Sequence, residues 1–223
     1  MKFILCRKRV NGISLADFAG RMMTEQVNHL LELTGIVRYR QSHSRPQGYA
    51  RGELDFDCIE EIEIASPAAL NDLWTAGQWD RLVDGPGFST DRDRSMSMSV
   101  ECHVAKAGGV RPGMLKGFRF LQRKAGISKE AFVRYWRDLH GPLAARIPTL
   151  LRYEHNYSNP TSPVAGVSHL YDGVGVTWFE SSAEMKRGRL LPEFEASVLD
   201  EPNLLNMAKL PYLITTERVY IGE

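Results

Sequence analysis

One segment of the chain combines a histidine with aromatic residues and a proline at a spacing that suits proton transfer. His140 follows Trp136 by one helical turn, so both lie on nearly the same face of a predicted helix. Because Pro142 disfavours the helical conformation at Gly141, the helix is predicted to stop or kink just after His140. Carbonyl dipoles of a last turn would raise the pKa of this imidazole, and burial against Trp136 would lower it. In either case the imidazole is predicted to titrate near neutrality, as a general acid or base requires.

The strand predicted after this helix carries a row of polar aromatic side chains. Alternation along the strand places Tyr153, His155 and Tyr157 on one sheet face. Phenol and imidazole groups can orient a polar ligand while their rings give it apolar contact, so the row favours a cavity lining. The first half of the chain repeats the row in weaker form with Tyr39 and His43.

Plainer interpretations of the same residues stay open. A histidine at a helix end is more often a cap or a satisfied surface residue than a catalyst, and Phe132 and Trp136 fit an ordinary core. Cys102-His103 and Cys58 lack the spacing of a zinc site, so no metal is predicted. The sequence contains no nucleophile elbow, Walker loop or dinucleotide glycine fingerprint, and no cofactor is predicted.

The sequence of the first half of the chain resembles that of the second. Gly12-Ile13-Ser14 matches Gly126-Ile127-Ser128, and Arg38-Tyr39 matches Arg152-Tyr153, all at a constant offset of 114 residues. The repeat is far longer than a solenoid unit, which indicates two similar half-domains. We therefore expect residues 1–106 and 115–223 to form the halves, joined by a Gly- and Pro-containing linker at 107–114.

Each half predicts the same order of elements: strand, helix, strand, strand, helix, strand. Ser14 and Ser128 are placed to cap the first helix of each half, and Ser66 and Ser181 to begin the second. An irregular segment is predicted between the second helix and the last strand. This order is that of ferredoxin-like folds.

A ferredoxin-like half leaves one face of its sheet bare, and a second copy in the same chain is the simplest cover for that face. The predicted fold class is therefore α+β, with two tandem ferredoxin-like halves that form a pseudo-dimeric α+β barrel. A small ligand would occupy a space lined by both halves. The chain is expected to be a monomer with this internal pseudo-dimer, or a homodimer.

The bulk composition narrows the class of partner. A hydrophobic share of 43%, a charged share of 25% and a formal net charge of +1 are typical of a globular protein. The near-zero net charge does not indicate binding to nucleic acid or to a membrane. Three widely spaced cysteines without a CxxC motif indicate reduced thiols. Met1–Cys6 is too short an apolar run for a signal peptide, so a cytoplasmic location is expected.

The helix and strand of the second half resemble the EthD family, which belongs to the dimeric α+β barrel class. The resemblance is carried by an F-x-x-Y-W helix from Phe132 that ends in His140-Gly141-Pro142, followed by an Arg152-Tyr153 strand. The first half keeps the scaffold but has Gln26 and Val27-Asn28 in place of the H-G-P residues. The resemblance implies a tandem EthD-like protein with one motif-bearing half.

Relatives of this class include cofactor-free dehydratases, decarboxylases and cyclases that act on aromatic or polyketide-like compounds. The resemblance therefore implies a cofactor-independent lyase or isomerase for a small aromatic or cyclic carbonyl compound, in catabolism or secondary metabolism. His140 would move a proton α to the carbonyl, Tyr153 or His155 would bind the enolate oxygen, and Trp136 would form an apolar wall. Two alternatives stay open: a non-catalytic binding or accessory protein of an oxidative pathway, and a cofactor-free monooxygenase.

Overall fold

A computed structural model describes residues 1–85, 89–159, 170–208 and 210–222. Within them the fold is mixed α+β, as predicted. The strands are β1 (Lys2–Arg7), β2 (Ile36–Ser44), β3 (Cys58–Ile64), β4 (Met96–Lys106), β5 (Leu115–Leu121), β6 (Leu150–Ser158), β7 (Gly173–Phe179) and β8 (Tyr212–Ile221). The α-helices are α1 (Leu15–Arg21), α2 (Val27–Leu31), α3 (Pro67–Thr75), α4 (Gln78–Asp84), α5 (Lys129–Tyr135), α6 (Gly141–Ala145), α7 (Ser182–Gly188) and α8 (Pro192–Leu204). A short 3-10 helix spans Pro46–Arg51.

The described chain divides into two compact units. The first unit contains residues 1–85, 89–100 and 217–222, and the second contains residues 101–159, 170–208 and 210–216. Across all these residues, no helix has both the length and the apolar character that a membrane crossing needs. The predicted domain boundaries and the pseudo-dimeric barrel stay predictions.

The sheet of the first unit is antiparallel around β1. Strand β1 pairs with β3 on one side and with the start of β4 on the other, and β2 pairs with the far edge of β3. In this register Glu60 of β3 lies opposite Leu5 of β1 and Gln41 of β2. The last residues of β8 lie beside β2.

The second unit repeats this arrangement around β5. Strand β5 pairs with β7 and with the start of β8, and β6 pairs with the far edge of β7. Gly175 of β7 lies opposite Arg119 of β5 and His155 of β6. Gly175 therefore occupies the position that Glu60 has in the first unit.

Serine caps begin the helices where the sequence predicts them. The hydroxyls of Ser14 and Ser128 accept hydrogen bonds from backbone N–H groups in the first turn, at 3.0 and 3.1 Å. Ser66 and Ser181 do the same for α3 and α7, at 3.1 and 3.2 Å. Each cap satisfies one of the amides that a helix start leaves without a partner, and these predicted helix starts are confirmed.

The helix that carries His140 does not stop there, so the prediction of a helix end after His140 was wrong. Residues Trp136–His140 form a π turn, and α6 continues the helix to Ala145. The N–H of Gly141 donates to the carbonyl of Trp136, five residues back. The first unit has the same π turn at Met22–Gln26 although Asn28 stands where the second unit has Pro142. The proline therefore does not create the turn, and His140 lies inside a helix.

Matching contacts in the two units support the internal repeat. The Asp57 carboxylate accepts from the backbone N–H of Arg9 at 2.8 Å, and Asp172 accepts from the N–H of Arg123 at 2.8 Å. Each arginine also forms an ion pair with the same carboxylate. The guanidinium Nε of each donates to a backbone carbonyl four residues on, at 3.0 and 3.1 Å.

The segments between the second helix and the last strand are more ordered than the sequence indicates. Helix α4 lies in the first of these segments, and the longer α8 lies in the second. Pro192 occupies the first turn of α8, followed by Glu193 and Glu195, which are favourable near a helix N-terminus. Helix α8 has low amphipathicity, so the spacing of its apolar residues does not predict a helix.

Candidate functional site

The second unit encloses a cavity of about 320 Å³ between its sheet and its helices. This volume is at the lower end of the range for small-molecule sites. Most of the lining is apolar, from Leu121, Ala144, Ile147, Leu150, Phe179, Met185, Phe194, Val198, Leu205 and Leu210. The polar part of the lining comes from Arg119, His140, Tyr153, Thr177, Arg189, Ser197, Glu201 and Tyr212.

Two glycines on the sheet make room at this face. Gly175 lies on the cavity floor beside Tyr153. A side chain at Gly117 would collide with the hydroxyls of Tyr212 and Thr177, at 2.6 and 2.8 Å from its Cβ. The positions that correspond to Gly117 and Gly175 in the first unit hold Phe3 and Glu60, which are fully buried.

His140 forms one wall of the cavity and is held by a carboxylate. Its Nδ1 lies 3.0 Å from Oδ2 of Asp200 in α8. Because a carboxylate only accepts hydrogen bonds, Nδ1 carries the hydrogen and Nε2 keeps its lone pair. Asp200 is fixed in turn by Tyr135, which donates from 2.7 Å, and by Asn203, which donates from 3.1 Å. An aspartate that orients a histidine in this way is a common support for a general base.

Burial decides the charge of His140. Only 6% of the residue is exposed, and the loss of hydration lowers its pKa. The hydrogen bond and charge of Asp200 oppose this effect without reversing it. The imidazole is therefore neutral at pH 7, and its lone pair is available to take a proton.

Tyr153 is the second polar group of the predicted site that lines the cavity. Its hydroxyl accepts a hydrogen bond from the indole N–H of Trp136 at 3.0 Å. Burial raises the pKa of this phenol to about 12, so it stays protonated. With its oxygen already accepting from Trp136, the phenol can donate its own hydrogen to a bound molecule.

An ion pair and a tyrosine extend the polar side of the cavity. Arg119 of β5 forms two hydrogen bonds with the Glu201 carboxylate of α8, one of them at 2.7 Å. Tyr212 pairs with Arg119 across the sheet, and its hydroxyl lies 3.9 Å from the sulfur of Met185. The guanidinium of Arg189 lies 6.0 Å from the centre of the Tyr212 ring.

Trp136, His155 and Tyr157 form a packed layer behind the cavity and do not line it. The indole of Trp136 stacks on the imidazole of His155 with ring centres 4.5 Å apart. The Tyr157 hydroxyl lies 3.0 Å from Nδ1 of His155. Burial lowers the pKa of His155 to about 3, so this imidazole stays neutral. Trp136 and His155 contact Tyr153 and thereby hold it in the cavity wall.

Tyr39 and His43 belong to the first unit and lie outside this cavity. The Tyr39 hydroxyl donates to Glu60 at 2.7 Å, and Nε2 of His43 lies 2.9 Å from Oε1 of Gln41. Burial lowers the pKa of His43 to about 4. Gln26, the counterpart of His140, donates to the same Glu60 carboxylate at 3.1 Å. The buried Arg7–Glu60 ion pair completes this network.

Sequence reasoning missed Asp200, Arg119 and Glu201. Asp200 and Glu201 lie in α8, in a segment predicted to be irregular. Arg119 lies in β5, for which the sequence predicted a strand but no cavity-lining face. A weak signal was present, because Leu191-Pro192 followed by two acidic residues is typical of a helix start. Among the described residues, no group of three or more His, Cys, Asp or Glu is arranged to hold a metal ion.

The fold and the cavity define an α+β protein with a small-molecule-sized cavity and an Asp–His pair in its wall. Residues 124–208 match the family model of the EthD domain. The predicted resemblance of the second half to this family is confirmed, and the match contains His140, Tyr153 and Asp200. No curated protein matches the chain significantly.

Solved structures share the fold at low sequence identity. An anthrone oxidase-like protein is 12% identical, with 100% of this chain and 93% of that chain covered and a TM-score of 0.68. A monooxygenase-like protein from Lactobacillus acidophilus is 10% identical, with 98% and 94% covered and a TM-score of 0.57. A chlorite dismutase from Candidatus Nitrospira defluvii, in complex with imidazole, is 10% identical, with 97% and 90% covered and a TM-score of 0.51. At such identities the likeness concerns the fold alone.

Proposed function

We propose that the protein is an enzyme that removes a proton from carbon next to the carbonyl group of a small aromatic or cyclic compound. The observation that carries the proposal is the contact between Nδ1 of His140 and the Asp200 carboxylate, in the wall of an apolar cavity. This contact leaves Nε2 of His140 as a neutral base and fixes the direction of its lone pair.

The chemistry follows from two groups, Nε2 of His140 and the hydroxyl of Tyr153. Nε2 of His140 takes the proton, the C–H electron pair moves into the ring or carbonyl system, and an enolate oxygen develops. The Tyr153 hydroxyl donates a hydrogen bond to that oxygen and stabilises its charge. His140 then returns the proton to another carbon, which is an isomerisation, or to a leaving group, which is an elimination. Neither step calls on a cofactor.

The apolar lining supports a ring compound as the substrate. Phe179 and Phe194 face the cavity together with aliphatic residues, and a wall of this kind favours rings over sugars or nucleotides. The small volume agrees with a compound of one to three rings.

A cofactor-free oxygenase is the second candidate, because the same deprotonation prepares a carbanion for reaction with oxygen. Two proteins of similar fold are described as anthrone oxidase-like and monooxygenase-like. Anthrone is therefore the probe of choice, and its oxidation takes up one O2 per molecule and gives anthraquinone and water. An oxygen electrode distinguishes this reaction from an isomerisation or elimination, which consumes none.

Solvent deuterium exchange tests the proton abstraction without knowledge of the substrate. Benzo-fused cyclic ketones such as 2-tetralone, together with anthrone, are incubated with the protein in D2O, and loss of the α-proton signal is followed by NMR. We expect the wild type to accelerate exchange of at least one of them, and His140→Gln to lose about 100-fold or more of the acceleration. His29→Gln, in the first unit, is the matched control and keeps it.

Two results would count against the proposal. One is the absence of accelerated exchange across the whole panel. The other is exchange that His140→Gln leaves intact. Tight binding of a ring compound without exchange or oxygen uptake, unchanged in His140→Gln, would favour the non-catalytic binding protein.

A further inference from the structure

The charges of the residues that line the cavity do not cancel. Glu201 is paired with Arg119, and Asp200 with His140, so both carboxylates next to the cavity are already engaged. Arg189 is the remaining charged residue of the lining, and within the described residues it belongs to no ion pair. Because Arg119 cancels Glu201 and His140 is neutral, the lining keeps one positive charge, that of Arg189. The Asp200 carboxylate stays negative, but it contacts Nδ1 of His140 and does not line the cavity.

Arg189 lies where a ligand would enter. It follows directly after α7, its side chain is exposed, and it also borders the cavity, so it belongs to the mouth. Tyr212 lies between Arg189 and the interior. The Tyr212 ring is 6.0 Å from the guanidinium, and its hydroxyl lies over Gly117 beside Thr177. A cation at the rim is thus followed by hydroxyl donors further in.

We propose that the substrate carries a carboxylate that binds at Arg189 and Tyr212 while its apolar ring enters the cavity towards His140. This inference rests on the proposed function and adds the substrate class, a ring compound with an acidic substituent. An arginine pairs with a carboxylate through two parallel hydrogen bonds, and the surrounding apolar wall strengthens that contact over one in open water. Because the acid is held at the mouth, the carbon next to the carbonyl is directed inwards.

Binding of two probes of equal shape tests this site. 2-Naphthoate carries a carboxylate, and 2-naphthamide is its neutral counterpart. Calorimetric titration at pH 8 and low salt gives the ratio of their dissociation constants for the wild type, Arg189→Gln and Arg187→Gln. Arg187 is the matched control, because it is an exposed arginine of α7 that pairs with Glu184 and does not line the cavity.

We expect the wild type and Arg187→Gln to bind the carboxylate about tenfold more tightly than the amide, as one charge-assisted contact provides. Arg189→Gln loses this preference and keeps its affinity for the amide. His140→Gln keeps the preference, so failure of the proton transfer and failure of the anion site are seen separately. The proposal is overturned if neither probe binds, if the amide binds as tightly as the carboxylate, or if Arg189→Gln retains the preference.

Discussion

At His140, burial and a neighbouring carboxylate act in opposite directions on the same proton. Burial lowers the pKa and Asp200 raises it, with burial the larger effect. The carboxylate therefore does not keep the histidine charged. In the proposed mechanism its role is to fix the tautomer that leaves Nε2 without a hydrogen.

Two substitutions distinguish the effect of the Asp200 charge on the pKa of His140 from the effect of the hydrogen bond that Tyr135 donates to Asp200. Asp200→Asn removes the opposing charge, so the pKa of His140 falls further and the deuterium exchange slows by about tenfold or more. Tyr135→Phe removes a hydrogen bond to the carboxylate and leaves its charge less stabilised, so the pKa of His140 rises. NMR titration of the His140 ring measures both shifts. Shifts of the same sign in the two variants would contradict the account.

Residue types alone predicted a role for His140 and Tyr153 but not their hydrogen-bond partners. The H-G-P segment and alternation along β6 pointed to these two side chains, and both line the cavity. Asp200 could not be found in this way, because it meets His140 through tertiary packing across 60 residues of chain. His155 was predicted to bind a ligand because it shares a strand face with Tyr153 and Tyr157; in the fold it is buried and stacks on Trp136.

At the scale of elements, the π turn and the glycine after it form one packing unit. A Cβ at Gly141 would lie 2.3 Å from Cε1 of His155 and 2.8 Å from the carbonyl oxygen of Trp136. The glycine is therefore required by the close approach of the imidazole to the helix backbone. Proline after it is compatible with a helix that continues, which the local preference of the residue before proline does not predict.

Gly141→Ala is expected to destabilise the protein by about 1–3 kcal/mol, because the added methyl group overpacks the contact with His155. Gly20→Ala is the matched control: it is also helical, a Cβ there meets nothing within 4 Å, and alanine favours a helix by about 1 kcal/mol. Urea unfolding of both variants measures the difference. An unchanged free energy of unfolding in Gly141→Ala would show that the imidazole yields to the methyl group.

At the scale of the whole molecule, the two units share a scaffold but differ in what fills it. The second unit has Gly117 and Gly175 beneath its helices, and the first has Phe3 and Glu60 there, with Arg7 paired to the glutamate. Gly-Ile-Ser and Arg-Tyr in one register predicted two similar halves, and the matching strand pairings of the two units agree with that prediction. That Phe3 and Glu60 fill the sheet face in the first unit, where the second has glycines beside its cavity, was not predictable, because it depends on which face each strand residue takes and on a buried ion pair between β1 and β3.

Buried histidines make stability depend on pH across the chain. The pKa of His155 falls to about 3 and that of His43 to about 4 in the fold, below the ordinary 6.5 of the unfolded chain. Below pH 6.5 the unfolded state binds protons that the folded state does not, so stability falls as the pH drops from 6.5 towards 4.

His155→Gln, which introduces the residue of the first unit at this position, is expected to flatten this dependence. At pH 5 the neutral His155 costs about 2 kcal/mol relative to pH 7, and the variant avoids that loss. Urea unfolding at pH 7 and pH 5 gives the difference for each protein. An identical difference in the wild type and the variant would mean that His155 takes up its proton without unfolding.

The central claim is that a neutral His140, oriented by Asp200, presents Nε2 to the cavity as a base. Nitrogen NMR of protein with labelled histidine side chains tests it most directly, with His140 assigned by its loss in His140→Gln among the six histidines of the chain. We predict that at pH 7 Nδ1 of His140 carries the hydrogen, that Nε2 carries none, and that the Nε2 signal shifts when 2-naphthoate binds. A doubly protonated ring at pH 7, or a hydrogen on Nε2 alone, would contradict the account.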